Sequence, residues 1–342
     1  MEGINLKTRV AINGFGRIGR MAFRIIADRT DVEVVGINDL TDTKTLAHLL
    51  KHDTNYGKFT HEVTNEDGAI IVDGVKIPVS AEKDPTMLPW KDLNVDVVIE
   101  STGRFVTTEA ASAHLKAGAK KVVISAPAKD EDTKTLVIGA NEDELGQAGD
   151  VISNASCTTN SIAAIMDIME REFGIEKAML TTVHSYTASQ DLQDGPNKDL
   201  REARAASENI VPATTGAAKA VALTVPALKG KFDGLSVRVP TSVVSLSDVT
   251  MVLKKKTTKE EINEVLKKAA KEPYYQGIID VSDEPLVSRD YVGNSHSGTV
   301  DLLLTNVVAD DLAKVVVWYD NEWGYSNRLV EMVSDVGKAL HA

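Results

Sequence analysis

RVAINGFGRIGRMAFRIIADR, residues 9–29, is the stretch on which the fold turns. A short apolar run, Arg9 to Asn13, stops at Gly14, and from Arg17 to Arg29 the apolar residues take up helical spacing. Between the two lies Gly14-Phe15-Gly16-Arg17-Ile18-Gly19, the pattern G-x-G-x-x-G. There the first glycine makes a tight turn and the second lets the backbone approach a pyrophosphate. The third permits close strand–helix packing, and the helix N-terminus faces the anion. A second β-rich run, Val32 to Asn38, ends at Asp39, at roughly the distance expected of a carboxylate that binds a ribose hydroxyl. Such a carboxylate accepts from the 2′-hydroxyl of NAD and repels the 2′-phosphate of NADP. The ribose role is the favoured reading of Asp39, and a cap on a following turn is its alternative.

The rhythm continues outward. Val95 to Glu100 and Lys121 to Ser125 read as strands, and the alanine-rich Thr107 to Ala119 between them as a helix closed near Gly118. Strand, helix, strand in this order predicts a parallel sheet with right-handed crossovers. After Ala155 the pattern changes. Ser156 can cap a helix whose apolar positions Ile162, Ile165, Met166, Met169 and Phe173 share one face, with Gly174 as its stop. Long runs follow at Met179 to Tyr186, Leu235 to Val239, Val243 to Leu253, Thr299 to Val308 and Lys314 to Tyr319, with helical stretches near Thr215 to Val225 and Lys259 to Lys271. Long strands with few crossovers predict a mainly antiparallel sheet. The fold class is therefore a doubly wound α/β Rossmann domain joined to an α+β domain, closed by a helix from about Ser326 to Leu340. A polar loop from about Ser185 to Glu208, containing Gly195-Pro196, is long enough to serve function or a partner.

Composition bounds the rest. The chain has 342 residues, enough for about two domains, and its 43% hydrophobic and 26% charged content is that of a globular protein. Fifty acidic against thirty-eight basic residues leave a formal charge of −12, which argues against nucleic acid or an anionic membrane as main partner. A single cysteine, Cys157, excludes an intramolecular disulfide and a thiolate metal cluster. Met1 to Val10 carries Glu2, Lys7 and Arg9 and no apolar core, so no signal peptide is expected, and no run is long enough to span a bilayer. A cytoplasmic protein is expected.

Cys157 lies in Ala155-Ser156-Cys157-Thr158-Thr159-Asn160, at the start of the amphipathic helix. A lone cysteine is by default a small buried hydrophobe, but polar neighbours and a helix N-terminus both favour a reactive thiolate. Of seven histidines, His184 is the best base, at the end of a strand and the mouth of the polar loop; a histidine satisfied by strand neighbours would look the same. His48 and His52 are four apart, but Leu49 breaks the H-E-x-x-H zinc pattern and a solvated helix face explains them, so no metal site is expected. Gly293 to Gly298 misses the serine-hydrolase elbow, and no Gly-Lys pair is followed by Ser or Thr, which removes the P-loop. The run Lys254 to Lys256 reads as a solvated strand end.

NGFGRIGR (13–20), ASCTTN (155–160), TGAAKA (215–220) and WYDNEWGYSN (318–327) closely resemble the phosphorylating glyceraldehyde-3-phosphate dehydrogenases, in order and at that family's spacings. The resemblance implies a Rossmann NAD domain of residues 1–155 completed by 322–342, and a catalytic domain of residues 156–321. It implies Cys157 as nucleophile and His184 as its partner. For NAD it implies Gly14, Gly16, Gly19, the backbone of Arg17 and Ile18, Asp39, Ser125, Asn321 at the nicotinamide amide, and Tyr325 beside the ring. Two anion sites are implied, one for the phosphate of glyceraldehyde 3-phosphate (Thr187, Arg238) and one for inorganic phosphate (Ser156, Thr158, Thr215, Gly216), with Arg204 a further phosphate-binding residue. Without the resemblance, Arg238 would read as a strand arginine in a surface ion pair. Ser161 and Ala164 stand where many members carry a second cysteine and a proline, and Glu202 where some bacterial members carry arginine. The implied reaction is NAD-linked oxidative phosphorylation of the aldehyde through a Cys157 thioester, in a homotetramer. Erythrose-4-phosphate dehydrogenase shares fold and nucleophile and is the alternative; a non-catalytic binding protein on the same fold is the alternative of another class.

Overall fold

The computed structural model describes residues 7–341; residues 1–6, within the stretch expected to hold no signal peptide, and residue 342 lie outside the described residues. The chain divides into two compact units. One comprises Met1–Leu136, Asp143–Ala155 and Ser326–Ala342, the other Val137–Glu142 and Ser156–Tyr325.

In the first unit a nine-stranded sheet runs Lys134–Thr135, Val151–Ser153, Lys121–Ile124, Val97–Glu100, Thr8–Asn13, Val32–Asn38, Val75–Ser80, Ala69–Val72, Val63–Glu66. The first seven strands are parallel and the last two add an antiparallel edge. Every residue of Val97–Glu100 is buried, as a central strand covered on both faces requires. On one face the helix Thr108–Lys116, capped by Thr107, packs Ala111 into a core of Trp90, Val98, Val122 and Ile124. Thr8–Asn13 and Val32–Asn38 are parallel neighbours, so Asn13 and Asn38 end side by side at the carboxyl edge of the sheet, where open α/β sheets bind ligands.

The second unit holds a sheet in the order Val211–Thr214, Phe232–Val239, Ile175–Ser185, Ser245–Leu253, Leu312–Tyr319, Gly298–Asp301, Ile279–Ser282, with Asn306–Val308 beside Leu312–Tyr319. It is mainly antiparallel; Ile175–Ser185 with Phe232–Val239 and Ile279–Ser282 with Gly298–Asp301 are parallel pairs. Ser245–Leu253 alternates strictly between buried and half-buried residues, the mark of a sheet with one face on the core. Ser156 caps the helix Cys157–Phe173 and Gly174 ends it, as the sequence predicts.

Three expectations need correction. Thr299 to Val308 is not one strand: Asp301 Oδ1 accepts from the N–H of Leu303 and of Leu304, and that turn separates Gly298–Asp301 from Asn306–Val308. The last helix starts earlier, at Trp323. His48 lies in the helix Thr43–Lys51, but His52 falls beyond its end in a short strand, so the two do not share one helix face.

Candidate active site

Local rules place the thiol. The Ser156 hydroxyl accepts from the Thr159 N–H at 3.1 Å, which makes Cys157 the first residue of its helix. The chain then returns along Ile175–Ser185 and brings His184 to the same end, with Nε2 3.4 Å from the Cys157 Sγ. Parallel register sets Arg238 directly beside His184. The sequence left a surface ion pair open for Arg238, yet among the described residues no carboxylate pairs with it. Its Nη1 lies instead 2.6 Å from His184 Nδ1, and its Nε is buried without a hydrogen-bond partner.

His184 Nδ1 is caught between two groups of opposite kind. The Ser185 carbonyl, 2.7 Å away, can only accept; the Arg238 guanidinium can only donate. One nitrogen cannot serve both at once, so the imidazole has two arrangements. With the proton on Nδ1 and donated to Ser185, Nε2 is a bare acceptor facing the sulfur. With Nδ1 accepting from Arg238, the proton sits on Nε2 and points at the sulfur, the arrangement that holds a thiolate. Burial, aided by the Arg238 charge, brings the His184 pKa down to about 4, so the ring is neutral at neutral pH. Burial also pushes the Cys157 thiol above its ordinary value, while Arg238 pulls it back. The helix N-terminus expected to favour a thiolate therefore works against desolvation here, and Arg238 is its ally.

Around the pair the structure adds a residue that the sequence reading missed. Tyr319 packs edge-on against His184, ring centroids 6.0 Å apart, and its buried hydroxyl bonds the hydroxyls of Thr158 at 2.9 Å and Thr182 at 2.8 Å. Tyr319 sits in the quoted tryptophan motif, but only strand pairing shows where it points. Asn321 Oδ1 accepts from the hydroxyls of Ser185 and Ser245, each at 3.0 Å, which fixes the orientation of its amide. Val244, just before Ser245, has φ 70°, a conformation costing a β-branched residue about 1–3 kcal/mol and characteristic of sites where packing over-determines the backbone. Tyr325 is buried.

The anion-site residues fare unequally. The Ser156 hydroxyl is shared with Thr159, and that of Thr158 is turned inward to Tyr319, which leaves their backbone for a ligand. Thr215 caps the N–H of Ala217, and Gly216 heads the helix Ala217–Thr224 with no side-chain cap. In the long loop Thr187 bonds Ser189, and Arg204 pairs with Asp194 at 3.0 Å rather than standing free for a phosphate.

The first unit carries the glycine-rich turn. Gly14 has φ 93°, and a Cβ there would meet the Thr102 backbone N at 2.8 Å. A Cβ on Gly19 would strike the Gly14 carbonyl at 2.2 Å, so packing alone demands that glycine. Gly16 is different: nothing lies within 4 Å of its would-be Cβ, and it opens the helix Arg17–Ala27 without a side-chain cap. The fold has no need of it, whereas a phosphate approaching the uncapped N–H groups does. The cleft of about 290 Å³ beside it is lined by Gly14, Asn38, Asp39, Ser101, Thr102 and Arg104 among others. Asp39 accepts from the N–H of Phe15 at 2.8 Å and of Thr41 at 3.0 Å, so it caps its turn as well as facing the cleft. The Arg17 side chain pairs with Asp53, which leaves the backbone for a pyrophosphate, and the Ser125 N–H donates to Glu100 O. Residues and turn fit a dinucleotide.

Residues 8–108 match the family model for the glyceraldehyde 3-phosphate dehydrogenase NAD binding domain, and residues 156–321 that for its C-terminal domain. The chain is 59% identical over 325 residues to a glyceraldehyde-3-phosphate dehydrogenase of Thermotoga maritima, covering 94% of this chain and 97% of that protein. To the protein of the same name from Geobacillus stearothermophilus it is 53% identical over 330 residues, covering 96% and 98%.

Proposed function

The chain belongs to the glyceraldehyde 3-phosphate dehydrogenase family, and from that premise we propose how its residues divide the work of an NAD-dependent phosphorylating aldehyde dehydrogenase. The reaction is oxidation of glyceraldehyde 3-phosphate with inorganic phosphate to 1,3-bisphosphoglycerate; the named relatives do not favour the erythrose 4-phosphate alternative. We assign residues 1–155 with 322–342 to the NAD domain and residues 156–321 to the catalytic domain, while residues 137–142 and 322–325 group with the second compact unit.

The observation that carries the mechanism is the Cys157–His184 pair at 3.4 Å with Arg238 against the far nitrogen of the imidazole. The Cys157 sulfur attacks the aldehyde carbon, and His184 Nε2 handles the proton between sulfur and the new oxygen. With Arg238 turned to the substrate phosphate, the ring keeps its one proton on Nδ1, donated to Ser185, and the bare Nε2 takes the Cys157 thiol proton, passes it to the new oxygen, and takes it back from the thiohemiacetal as hydride leaves. NAD, when bound, supplies the hydride acceptor. The Cys157 thioester that results is broken by inorganic phosphate, whose oxygen takes the acyl group as the thiolate leaves. Ser156, Thr158, Thr215 and Gly216 cradle that phosphate, while Thr187, Arg204 and Arg238 take the substrate's own phosphate. Arg204 has to leave Asp194 to do so, and the orphaned Nε of Arg238 is ready for an anion. Asn321 and Tyr325 serve the nicotinamide.

The test is NADH formation from glyceraldehyde 3-phosphate and NAD with and without inorganic phosphate. Fast turnover is expected only with phosphate. Turnover indifferent to phosphate would mean that water resolves the thioester and that the second anion site is wrongly assigned.

An uncovered face supports the homotetramer we propose. Met179, Leu223 and Leu312 stand exposed around a largely apolar cleft of about 880 Å³ that Lys177 and Phe232 help to line, and Leu200 on the long loop is 82% exposed. Apolar surface on this scale is normally covered by a partner, and a homotetramer covers it with further copies of the chain. No described helix is long and apolar enough to cross a membrane, and we place the enzyme in the cytoplasm. Sedimentation of the purified protein at micromolar concentration is expected at four chain masses; sedimentation as a single chain would refute the assembly.

A further inference from the structure

A second cluster of titratable groups, unused by the reaction, is buried beneath the dinucleotide cleft. Glu100 is 1% exposed, and among the described residues no lysine or arginine pairs with it. Its carboxylate accepts from four donors: Asn13 Nδ2 at 2.5 Å, His114 Nε2 at 3.0 Å, the Thr102 N–H at 2.8 Å and the Thr102 hydroxyl. The donor direction is forced from the far end. Trp90 Nε1 can only donate, and it lies 3.0 Å from His114 Nδ1, so that nitrogen accepts and the His114 proton sits on Nε2, toward Glu100. Because Asn13 must present its amide N–H to the carboxylate, its oxygen faces the other way and accepts from Asn38 Nδ2 at 2.7 Å. Asn38 in turn has its oxygen on the N–H of Glu82 at 2.9 Å and its Nδ2 on the Glu82 carbonyl at 2.9 Å. The Glu100 carboxylate at one end and the Glu82 backbone at the other thus demand one and the same orientation of Asn13, and Glu100 also fixes Thr102; Asn13, Asn38 and Thr102 all lie in the wall of the cleft.

We propose that Glu100 is a positioning residue for the dinucleotide. It holds one end of a one-way hydrogen-bond chain, anchored by Trp90 and His114 behind it and by the Glu82 backbone beyond Asn38, and so keeps the polar face of the cleft in place. The inference rests on the NAD reading of the cleft and adds a residue that need not touch the cofactor. A buried polar chain of this kind is sound only when every link points the same way. Reversing the Glu100 link sets Asn13 against the orientation that the Glu82 backbone imposes through Asn38, and the displaced side chains are those of the cleft wall while the apolar core around Trp90 stays packed.

The experiment changes one atom at each end of the Asn13–Glu100 link. Glu100→Gln puts an amide N–H among four donors, and Asn13→Asp puts an oxygen against the carboxylate. Each single change is expected to raise the Kd for NAD by about tenfold, the scale of one reversed hydrogen bond. At saturating NAD, kcat should stay within about twofold of the unchanged enzyme, because that split marks a loss of binding that is uniform along the reaction. Combined, the two changes restore the match: the amide of Glu100→Gln meets the carboxylate of Asn13→Asp, and His114 Nε2, already 3.3 Å from the Asn13 side-chain nitrogen, can donate to the oxygen placed there. The pair should therefore bind NAD close to the unchanged enzyme even where a single variant folds poorly. Calorimetric titration with NAD, beside a thermal melt, decides it. Singles that melt lower yet bind NAD unchanged, or a pair no better than the singles, would overturn the positioning role. An unchanged enzyme that binds no NAD would instead remove the reading on which it rests.

Discussion

Cys157→Ser is expected to lower phosphate-dependent NADH formation by about 10⁴-fold or more, a loss on the scale seen when an enzymatic nucleophile is removed. The hydroxyl loses its proton far less readily than the thiol, and a neutral imidazole with a pKa near 4 is too weak a base to remove it. Arg238, which offsets part of the desolvation of the thiolate, cannot offset the larger deficit of an alkoxide. An oxygen ester formed at position 157 would also hold less transferable energy than a thioester, so acyl transfer to inorganic phosphate would slow as well. The cradle at Gly14 to Gly19 does not involve position 157, so NAD binding measured by titration should be unchanged. Near-normal turnover by the serine variant would displace Cys157 from the reaction, whatever its distance from His184.

How far this site could be read in advance depends on which residues the local rules reach. The glycine-rich turn was legible because each glycine answers to a local constraint, and the structure separates the two that packing demands, Gly14 and Gly19, from the one left open, Gly16. The Cys157 helix was legible at both ends because Ser156 and Gly174 are local signals. What was not legible depends on pairing between distant strands. His184 and Arg238 meet only because Ile175–Ser185 and Phe232–Val239 run parallel in one register, and a shift of one residue would turn Arg238 to the opposite face. For the same reason Tyr319 could be quoted in a motif without its contact to His184 being visible. The antiparallel edge from Val63 to Ser80 is not legible because its strands are short and none alternates cleanly: Val63–Glu66 and Val75–Ser80 each bury a single residue, and Ala69–Val72 is nearly all buried. For the thiol, sequence shows the helix N-terminus that favours a thiolate but neither the burial that opposes it nor the Arg238 charge that supports it.

His184→Asn is expected to slow acylation by about 10²–10⁴-fold, the range for loss of a general base. Its pH signature separates this role from a merely packed histidine. Burial and the Arg238 charge hold the His184 pKa near 4, so the unchanged enzyme should keep its base across neutral pH and lose it only as pH falls through about 4. Arg238→Leu removes a positive charge from both members of the pair. The imidazole then takes up a proton more readily and its pKa rises; the thiolate loses its favourable neighbour and the thiol pKa rises too. Both limbs should therefore move the same way, to higher pH. Alkylation of Cys157 by iodoacetamide, followed against pH, reads the thiol without requiring substrate phosphate to bind, and histidine NMR reads the imidazole. His184→Asn should abolish the acid limb without restoring the rate, whereas Arg238→Leu should displace it upward. If the alkylation midpoint stays in place in Arg238→Leu, the 2.6 Å contact with His184 carries no electrostatic coupling to the sulfur, and the two-arrangement imidazole has to be abandoned.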